Sequence, residues 1–323
     1  MYWLPLSVRN ALSASVALIA VTLTLACERK TPPAARNDTA TPVTPPPEST
    51  VVVKPEESTW DTTSGPALFV AGSTPQEALV IAPRYTDTTQ FDSTRFDPAV
   101  LRSLQVDLFG GGNRVGTARI GSTVGSSRSD SCRAWPTARL DISPADTASA
   151  RSWIVAFEAG HASPLSVDSI EGLPGADSAQ LAADIARLAS ALPGDTSAIF
   201  RGLPFVVKKA WRTRIPTGQL LLTAVVVRNV NQEANPRQER IFLIAERDSG
   251  ATTGRFTTRY SERISGLEET VETTDVITIV LLGAERRPTI VVTRDAGNGL
   301  SYTLIQRLAG RWQQRWASTY AGC

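Results

Sequence analysis

The chain has 323 residues, of which 42% are apolar and 20% charged, and its formal net charge is +2. Acidic and basic residues are interspersed, so the sequence contains no basic footprint for nucleic acid. Its single histidine excludes H-E-x-x-H zinc sites and any metal centre built from several histidines. We therefore predict neither a metal nor another cofactor, and no nucleic-acid partner.

The first thirty residues contain an apolar stretch, 11–26, that ends in Leu23-Thr24-Leu25-Ala26-Cys27. This segment resembles a bacterial lipoprotein signal peptide with its lipobox. The resemblance implies that residues 1–26 are removed, that Cys27 is acylated and that the protein is anchored to the lipid bilayer in the cell envelope. Glu28 implies outer-membrane delivery, facing the periplasm, if the cell is Gram-negative. A plain secretory peptide cut after Ala26 and an uncleaved anchor are the alternatives.

Residues 27–64 are rich in proline, threonine and serine, and they predict a disordered, lipid-anchored tether. The remainder, 65–323, is long enough for one mainly β domain. Two subdomains with a boundary near 173–200 are the alternative.

Two cysteines remain once Cys27 carries lipid, namely Cys132 and Cys323. In an oxidising compartment we expect them to form a disulfide. Intermolecular pairing and two free thiols remain open. A catalytic cysteine is not expected, because neither residue has a histidine nearby and no C-x-x-C motif is present.

Alternation of apolar and polar residues with a period of two dominates the domain, as in antiparallel strands. The clearest pair is 205–215 and 219–230, which flank Pro216-Thr217-Gly218 and predict a hairpin. Further strands are predicted at 67–70, 78–82, 104–109, 115–120, 137–142, 153–158, 241–246, 255–260, 276–282, 289–293, 302–306 and 312–317. The fold class is mainly β, with antiparallel hairpins forming a propeller-like or sandwich-like domain.

One α-helix is predicted among these strands, at about 178–192. Its apolar residues fall on one face: Leu181, Ile185, Leu188 and Leu192. Asp177 or Ser178 is positioned to cap its start, and Pro193-Gly194 is expected to end it. We expect this helix to pack against a sheet.

The strands predicted between 276 and 317, with turns at 285–288 and 297–299, resemble a degenerate blade of an FG-GAP-type β-propeller. In that family, spaced aspartates after the first strand bind Ca²⁺. The corresponding loop here, 283–287, has one acidic and two basic residues. The resemblance therefore implies no calcium site, and a sandwich or a pair of small β domains fits the strand spacing nearly as well.

Motifs of catalytic or ion-binding sites are weak. His161, Ser163 and Asp168 are nearby in sequence, but no G-x-S-x-G accompanies them, so we predict a solvated or satisfied histidine instead of a catalytic triad. The glycines at 110–112 lead into a strand, which predicts a hairpin turn and not a phosphate loop. A Thr-rich loop contains three aspartates, for which Asx-turns are the prediction and a hard cation is the alternative: Asp87, Asp92 and Asp97.

Aromatic residues with neighbouring arginines are the candidates for binding. A strand at 312–317 would place Trp312 and Trp316 on one face, and Trp211 is flanked by a similar alternation. Such a surface would suit a glycan or a protein, whereas packing in the core is the alternative. A second candidate contact surface is the polar loop at 229–239, which contains Asn235, Arg237 and Glu239.

The sequence thus predicts a membrane-anchored envelope lipoprotein that acts as a non-catalytic binding or scaffold module for an envelope protein or a glycan. The first alternative is a carboxylate-dependent, glycan-active hydrolase, which needs two carboxylates roughly 5 to 10 Å apart. The second is a purely structural envelope protein, in which Trp211, Trp312 and Trp316 would be buried.

Overall fold

A computed structural model describes residues 65–71, 74–81, 101–124, 135–146, 148–194, 197–231, 235–248, 254–297, 299–318 and 320. These residues form sixteen strands, all paired antiparallel, and one α-helix, so the protein is mainly β as predicted. Within these ranges no helix is both long and apolar enough to cross a membrane. The predicted signal peptide and tether lie outside the described residues.

The first six strands close into an antiparallel barrel. They are β1 (Ala67–Val70), β2 (Glu77–Ile81), β3 (Gln105–Gly110), β4 (Asn113–Val124), β5 (Thr137–Ile142) and β6 (Val155–Glu158). Their order is β1-β2-β5-β4-β3-β6, and pairing of β6 with β1 closes the barrel and removes its open edges. Alternation selects the side chains of its core, since Ala138 and Leu140 of β5 are buried whereas Arg139 and Asp141 are exposed.

The glycines between β3 and β4 form a hairpin turn, as predicted. Gly111 and Gly112 have φ of +57° and +78°, a conformation that glycine adopts without steric cost. Gly110 is required for a different reason, because a Cβ atom there would lie 2.1 Å from the backbone oxygen of Ser152. The turn is thus fixed by conformation and by the close approach of 149–152, a short 3₁₀ segment.

Two five-stranded sheets follow the barrel. The first, called the helix-side sheet, has the order β12-β11-β10-β9-β8, with β8 (Val167–Ser169), β9 (Val206–Arg214), β10 (Gln219–Val230), β11 (Arg237–Asp248) and β12 (Thr257–Leu267). The second, called the barrel-side sheet, has the order β16-β15-β14-β13-β7, with β7 (Ala162–Pro164), β13 (Thr273–Leu282), β14 (Arg287–Asp295), β15 (Leu300–Leu308) and β16 (Arg311–Ala317). Only Leu165 and Ser166 separate β7 from β8, so the chain crosses from one sheet to the other there.

The barrel packs against one face of the barrel-side sheet. Phe69 of β1 stacks on Tyr302 of β15 with ring centroids 3.8 Å apart. The buried cluster at this contact also contains Phe109, Phe157, Val280, Val291, Leu304 and Trp316. Alternation explains the two cores, since Leu68 and Leu108 belong to a separate cluster inside the barrel.

The other face of the barrel-side sheet packs on the helix-side sheet. The apolar cluster between them includes Leu221, Val225, Phe242, Ile279, Ile290, Ile305 and Trp312. The sequence left open a propeller, a sandwich and a pair of small β domains, and these two sheets form a sandwich. The barrel of β1–β6, which packs on the barrel-side sheet, was not predicted.

The α-helix, α1 (Gly175–Ser190), covers the outer face of the helix-side sheet, as predicted. Leu181, Ile185 and Leu188 pack in one cluster with apolar residues of β10 and β11. The predicted cap is wrong, because Pro174 occupies the N-cap position and both Asp177 and Ser178 lie in the first turn. The helix also ends at Ser190, two residues earlier than predicted.

Candidate functional site

The tryptophans predicted to bind a ligand lie in the core. A β-bulge shifts the register between β15 and β16, so that Leu304 pairs with Trp316 but Ile305 pairs with Gln314. Trp312 therefore packs between the two sheets, whereas Trp316 packs toward the barrel, and the prediction that they share a face is wrong. Trp211 is half-buried and packs between the sheets.

The polar loop predicted at 229–239 is shorter than expected, because β10 continues to Val230 and β11 begins at Arg237. Asn235 is exposed and Arg237 is half-buried. Glu239 is buried on the helix side of the sheet, where its Oε2 lies 2.6 Å from Nε of Arg228. Its carboxylate holds this arginine in place and is not part of an exposed surface.

His161, Ser163 and Asp168 are not brought together. Nδ1 of His161 lies 3.3 Å from Oε2 of Glu158, and Asp168 pairs with Arg212 at 3.5 Å. Ser163 accepts a hydrogen bond from Arg286. Cys27, Cys132 and Cys323, together with Asp87, Asp92 and Asp97, lie outside the described residues.

A buried carboxylate joins the two sheets at one end of the sandwich. Oε1 of Glu246 in β11 accepts hydrogen bonds from Nε of Arg307 at 2.7 Å and from Nε1 of Trp312 at 2.8 Å. Nη2 of Arg307 lies 3.3 Å from the other carboxylate oxygen. We call Glu246, Arg307 and Trp312 the sheet anchor, since they connect strands of both sheets through one desolvated charge.

Further along the sandwich, Arg294 of β14 is the centre of a second charged cluster. Its Nη2 donates to Oε1 of Glu262 in β12 at 2.6 Å, and Tyr260 donates a hydrogen bond to the same carboxylate. Glu272 lies 4.0 Å from Nε of Arg294. Burial raises the pKa of Glu272, and the charge of Glu262 adds to this shift, although Arg294 opposes it. We call these four residues the arginine cluster.

The inner face of the helix-side sheet continues beyond this cluster in a row that we call the open shelf. Strand pairing places Val206, Val227, Arg240 and Ile264 side by side on one face. The preceding row, with Val225 and Phe242, is the last to belong to the cluster between the sheets. Val206 is 55% exposed and Ile264 is 39% exposed, so the shelf offers apolar surface on both sides of the arginine.

Arg240 is held on this shelf without a full set of partners. Its Nε is buried and has no hydrogen-bond partner among the described residues. Burial lowers the pKa of its guanidinium, and the charge of Glu268 opposes this shift. A charged donor that has already lost part of its water favours an anionic ligand that restores the missing hydrogen bonds.

Gln238, two residues before Arg240 on the same face, provides a complementary group. Its Nε2 donates to Oδ1 of Asn229 at 3.0 Å, whereas its Oε1 is buried and has no partner in the described part of the chain. A buried acceptor without a partner is costly unless a donor reaches it. The shelf therefore combines a guanidinium donor with an amide acceptor.

The chemical groups on the shelf differ from those of a metal site. In the ranges that the structure describes, no three His, Cys, Asp or Glu side chains are grouped to coordinate a cation. The shelf instead combines a half-buried cation and a buried amide oxygen with two exposed aliphatic side chains, a combination that can recognise a carboxylate attached to apolar groups.

Sequence reasoning missed Arg240 and Glu246, although a signal for both is present. Strand alternation puts them on the same face as Phe242 and Ile244, which are buried. Charges at the two ends of an apolar inner stripe indicate an ionic contact or a binding group at each end. Here Glu246 forms the sheet anchor and Arg240 lies on the open shelf.

Comparisons with known proteins found no matching family model, no matching curated protein and no matching solved structure.

Proposed function

We propose that the chain is a membrane-anchored envelope lipoprotein whose β domain is a non-catalytic binding or scaffold module, and that the open shelf is its binding surface. Acylated Cys27 holds it to the bilayer, at the outer membrane facing the periplasm if the cell is Gram-negative. A disulfide between Cys132 and Cys323 is part of this proposal, and so is an envelope protein or glycan as partner.

The observation that carries the binding role is the contrast between the open shelf and the buried carboxylates. Among the described residues, Asp107, Glu239 and Glu246 are buried, and each contacts an arginine within 2.7 Å: Arg114, Arg228 and Arg307, respectively. Those carboxylates hold strands or layers together. Arg240 differs, because it forms no ion pair among the described residues and its buried Nε, beside exposed apolar surface, has no hydrogen-bond partner there.

The tether supports a role at a distance from the membrane. Its proline-rich composition favours extended polyproline conformation, about 3.1 Å per residue, so full extension would allow a reach of roughly 100 Å. Such a reach suits a module that contacts another envelope component.

A carboxylate-dependent, glycan-active hydrolase is the second candidate, and the arginine cluster favours it. Glu262 and Glu272 both have a carboxylate oxygen within 4.0 Å of Arg294, and burial raises the pKa of Glu272, as in a general acid next to a second carboxyl group. The test is release of reducing ends from cell-wall glycan by the full-length chain. Activity that Glu272→Gln abolishes would favour the hydrolase, whereas inactivity would leave the binding module.

The binding module is tested in the native envelope with a photo-crosslinking amino acid at position 206. Ile154 is the matched control, since it is also apolar and 40% exposed but lies just before β6 of the barrel. We expect one specific crosslinked partner from position 206 and none from position 154.

Anchoring is tested separately with an alkyne fatty acid, which should label the wild-type chain but not Cys27→Ala. Absence of labelling would contradict the lipoprotein assignment. Equal crosslinking from both positions, or none from position 206, would contradict the binding role.

A further inference from the structure

We infer that the open shelf binds an extended peptide segment in which a carboxylate adjoins apolar side chains, with Arg240 as the residue that pairs with the carboxylate. This inference rests on the proposed binding function and names the chemistry of the partner.

Charge and position select the anion. The guanidinium of Arg240 lies between Val227 and Ile264 in the row, so its neighbours on both sides are aliphatic. Its Nε lacks a partner among the described residues, and Glu268 is the group whose charge acts on it. A carboxylate can form two parallel hydrogen bonds to a guanidinium, and partial desolvation strengthens them.

The side-chain amide oxygen of Gln238 favours a peptide as the ligand over a simple carboxylic acid. Oε1 of Gln238, which lies on the same face two residues away, needs a donor that a carboxylate does not have. The N–H of a peptide bond is such a donor, and it stands next to a carbonyl or carboxylate oxygen in the same chain. A peptide can thus satisfy both residues while its side chains cover Val206 and Ile264.

The residues around the shelf limit where the peptide can extend. Lys209, in the neighbouring row, is already paired with Asp275 at 2.5 Å, and Arg294 is paired with Glu262. Nε of Arg294 is also buried without a hydrogen-bond partner among the described residues, but carboxylate oxygens of Glu262 and Glu272 lie within 4.0 Å of this guanidinium. Arg240 forms no ion pair within the described ranges, so the carboxylate of the peptide is placed there.

The test is a titration of the full-length chain in lipid nanodiscs with two matched probes. One is acetylated valyl-leucyl-valine with a free C-terminal carboxylate, and the other is the same peptide with a C-terminal amide. We expect the acid to bind at least tenfold more tightly than the amide, and Arg240→Gln to abolish that difference. A third peptide, amidated but with glutamate in the middle, distinguishes a side-chain carboxylate from a terminal one.

Arg263→Gln is the matched control, since Arg263 pairs with Ile241 and so lies on the opposite, helix-covered face. It should leave the tenfold preference unchanged. If Arg240→Gln fails to fold, the exposed Val206 provides a second pair of variants. Val206→Glu should weaken binding of the acid, and Val206→Lys should strengthen it, while the amide peptide responds little to either.

Equal affinity for acid and amide would overturn the inference, and so would a preference that survives Arg240→Gln. Absence of saturable binding of either peptide, or binding of an N-acetylated glycan fragment alone, would also overturn it. These outcomes are separate from failure of the proposed function, which is judged by acylation of Cys27 and by crosslinking from position 206.

Discussion

Replacing Glu246 with glutamine should weaken the contact between the two sheets far more than loss of an exposed ion pair would. Glu246 is 4% exposed, and its carboxylate contacts both Arg307 and Trp312. Glutamine keeps the shape and can still accept from Trp312, but it leaves the half-buried guanidinium of Arg307 without the counter-charge of Glu246. Removal of one partner of a buried pair costs about 3 to 5 kcal/mol, and we expect about 3 kcal/mol because one hydrogen bond is retained.

Urea denaturation, followed by tryptophan fluorescence and circular dichroism, measures this loss. With a denaturant slope of about 3 kcal/mol per M, the midpoint should fall by about 1 M. Glu285→Gln is the matched control, since Glu285 also pairs with an arginine, Arg287, but its side chain is 70% exposed. The control should change the free energy of unfolding by less than about 1 kcal/mol.

The double variant Glu246→Gln with Arg307→Met tests the cause. Methionine removes the unpaired charge, so the double variant should be less destabilised than the sum of the two single variants. A loss below about 1 kcal/mol for Glu246→Gln would refute the reasoning. Strict additivity of the two substitutions would refute it as well, because it would mean that the two charges do not interact.

Three further predictions concern pH, backbone packing and the cysteines. Burial raises the pKa of Glu272 above its ordinary value of 4.5, so just above pH 4.5 this group binds more protons in the folded chain than in the unfolded chain. Its contribution to the free energy of unfolding therefore falls as pH rises through that window. Glu272→Gln should flatten this fall in urea titrations at several pH values, and an unchanged slope would contradict the prediction. Gly110→Ala should destabilise the barrel by more than about 1 kcal/mol in thermal unfolding, because the added Cβ would clash with the backbone of Ser152. Gly175→Ala is the control and should be neutral or slightly stabilising, since nothing lies within 4 Å of a Cβ atom there. A neutral Gly110→Ala would show that the barrel adjusts. Non-reducing peptide mapping should recover Cys132 linked to Cys323 in a monomer, and Cys323→Ser should cost about 4 to 5 kcal/mol of stability; separate free thiols would contradict the pairing.

The elements with strong periodicity were predictable from the sequence. The hairpin of β9 and β10 and the helix α1 were predicted because their apolar spacing repeats over ten or more residues. The strands β7 and β8 were missed, since three residues are too few to show alternation. Closure of the barrel was also missed, because pairing of β1 with β6 joins residues that are far apart in sequence.

Bulges explain why the candidate site was only partly predictable. Strict alternation puts Trp312 and Trp316 on one face of the sheet, but one extra residue between them places the side chain of Trp316 on the opposite face. Where no bulge occurs, the same rule succeeds: it places Arg240 on the inner face together with Phe242 and Ile244. The position of a bulge depends on the partner strand, which a single sequence does not reveal.

The open shelf follows from a difference in strand length between the two sheets. β10 and β11 are each 12 residues long, whereas β13 and β14 of the facing sheet have 10 and 9 residues. At about 3.4 Å per residue, two or three additional residues extend the helix-side sheet by about 7 to 10 Å beyond its partner. The sheet anchor at Glu246 fixes one end of the sandwich, so the surplus accumulates at the other end, where Arg240 lies. A stability role alone would favour an aliphatic residue at this position, as at Val227 in the same row, and the proposed ligand would account for an arginine there.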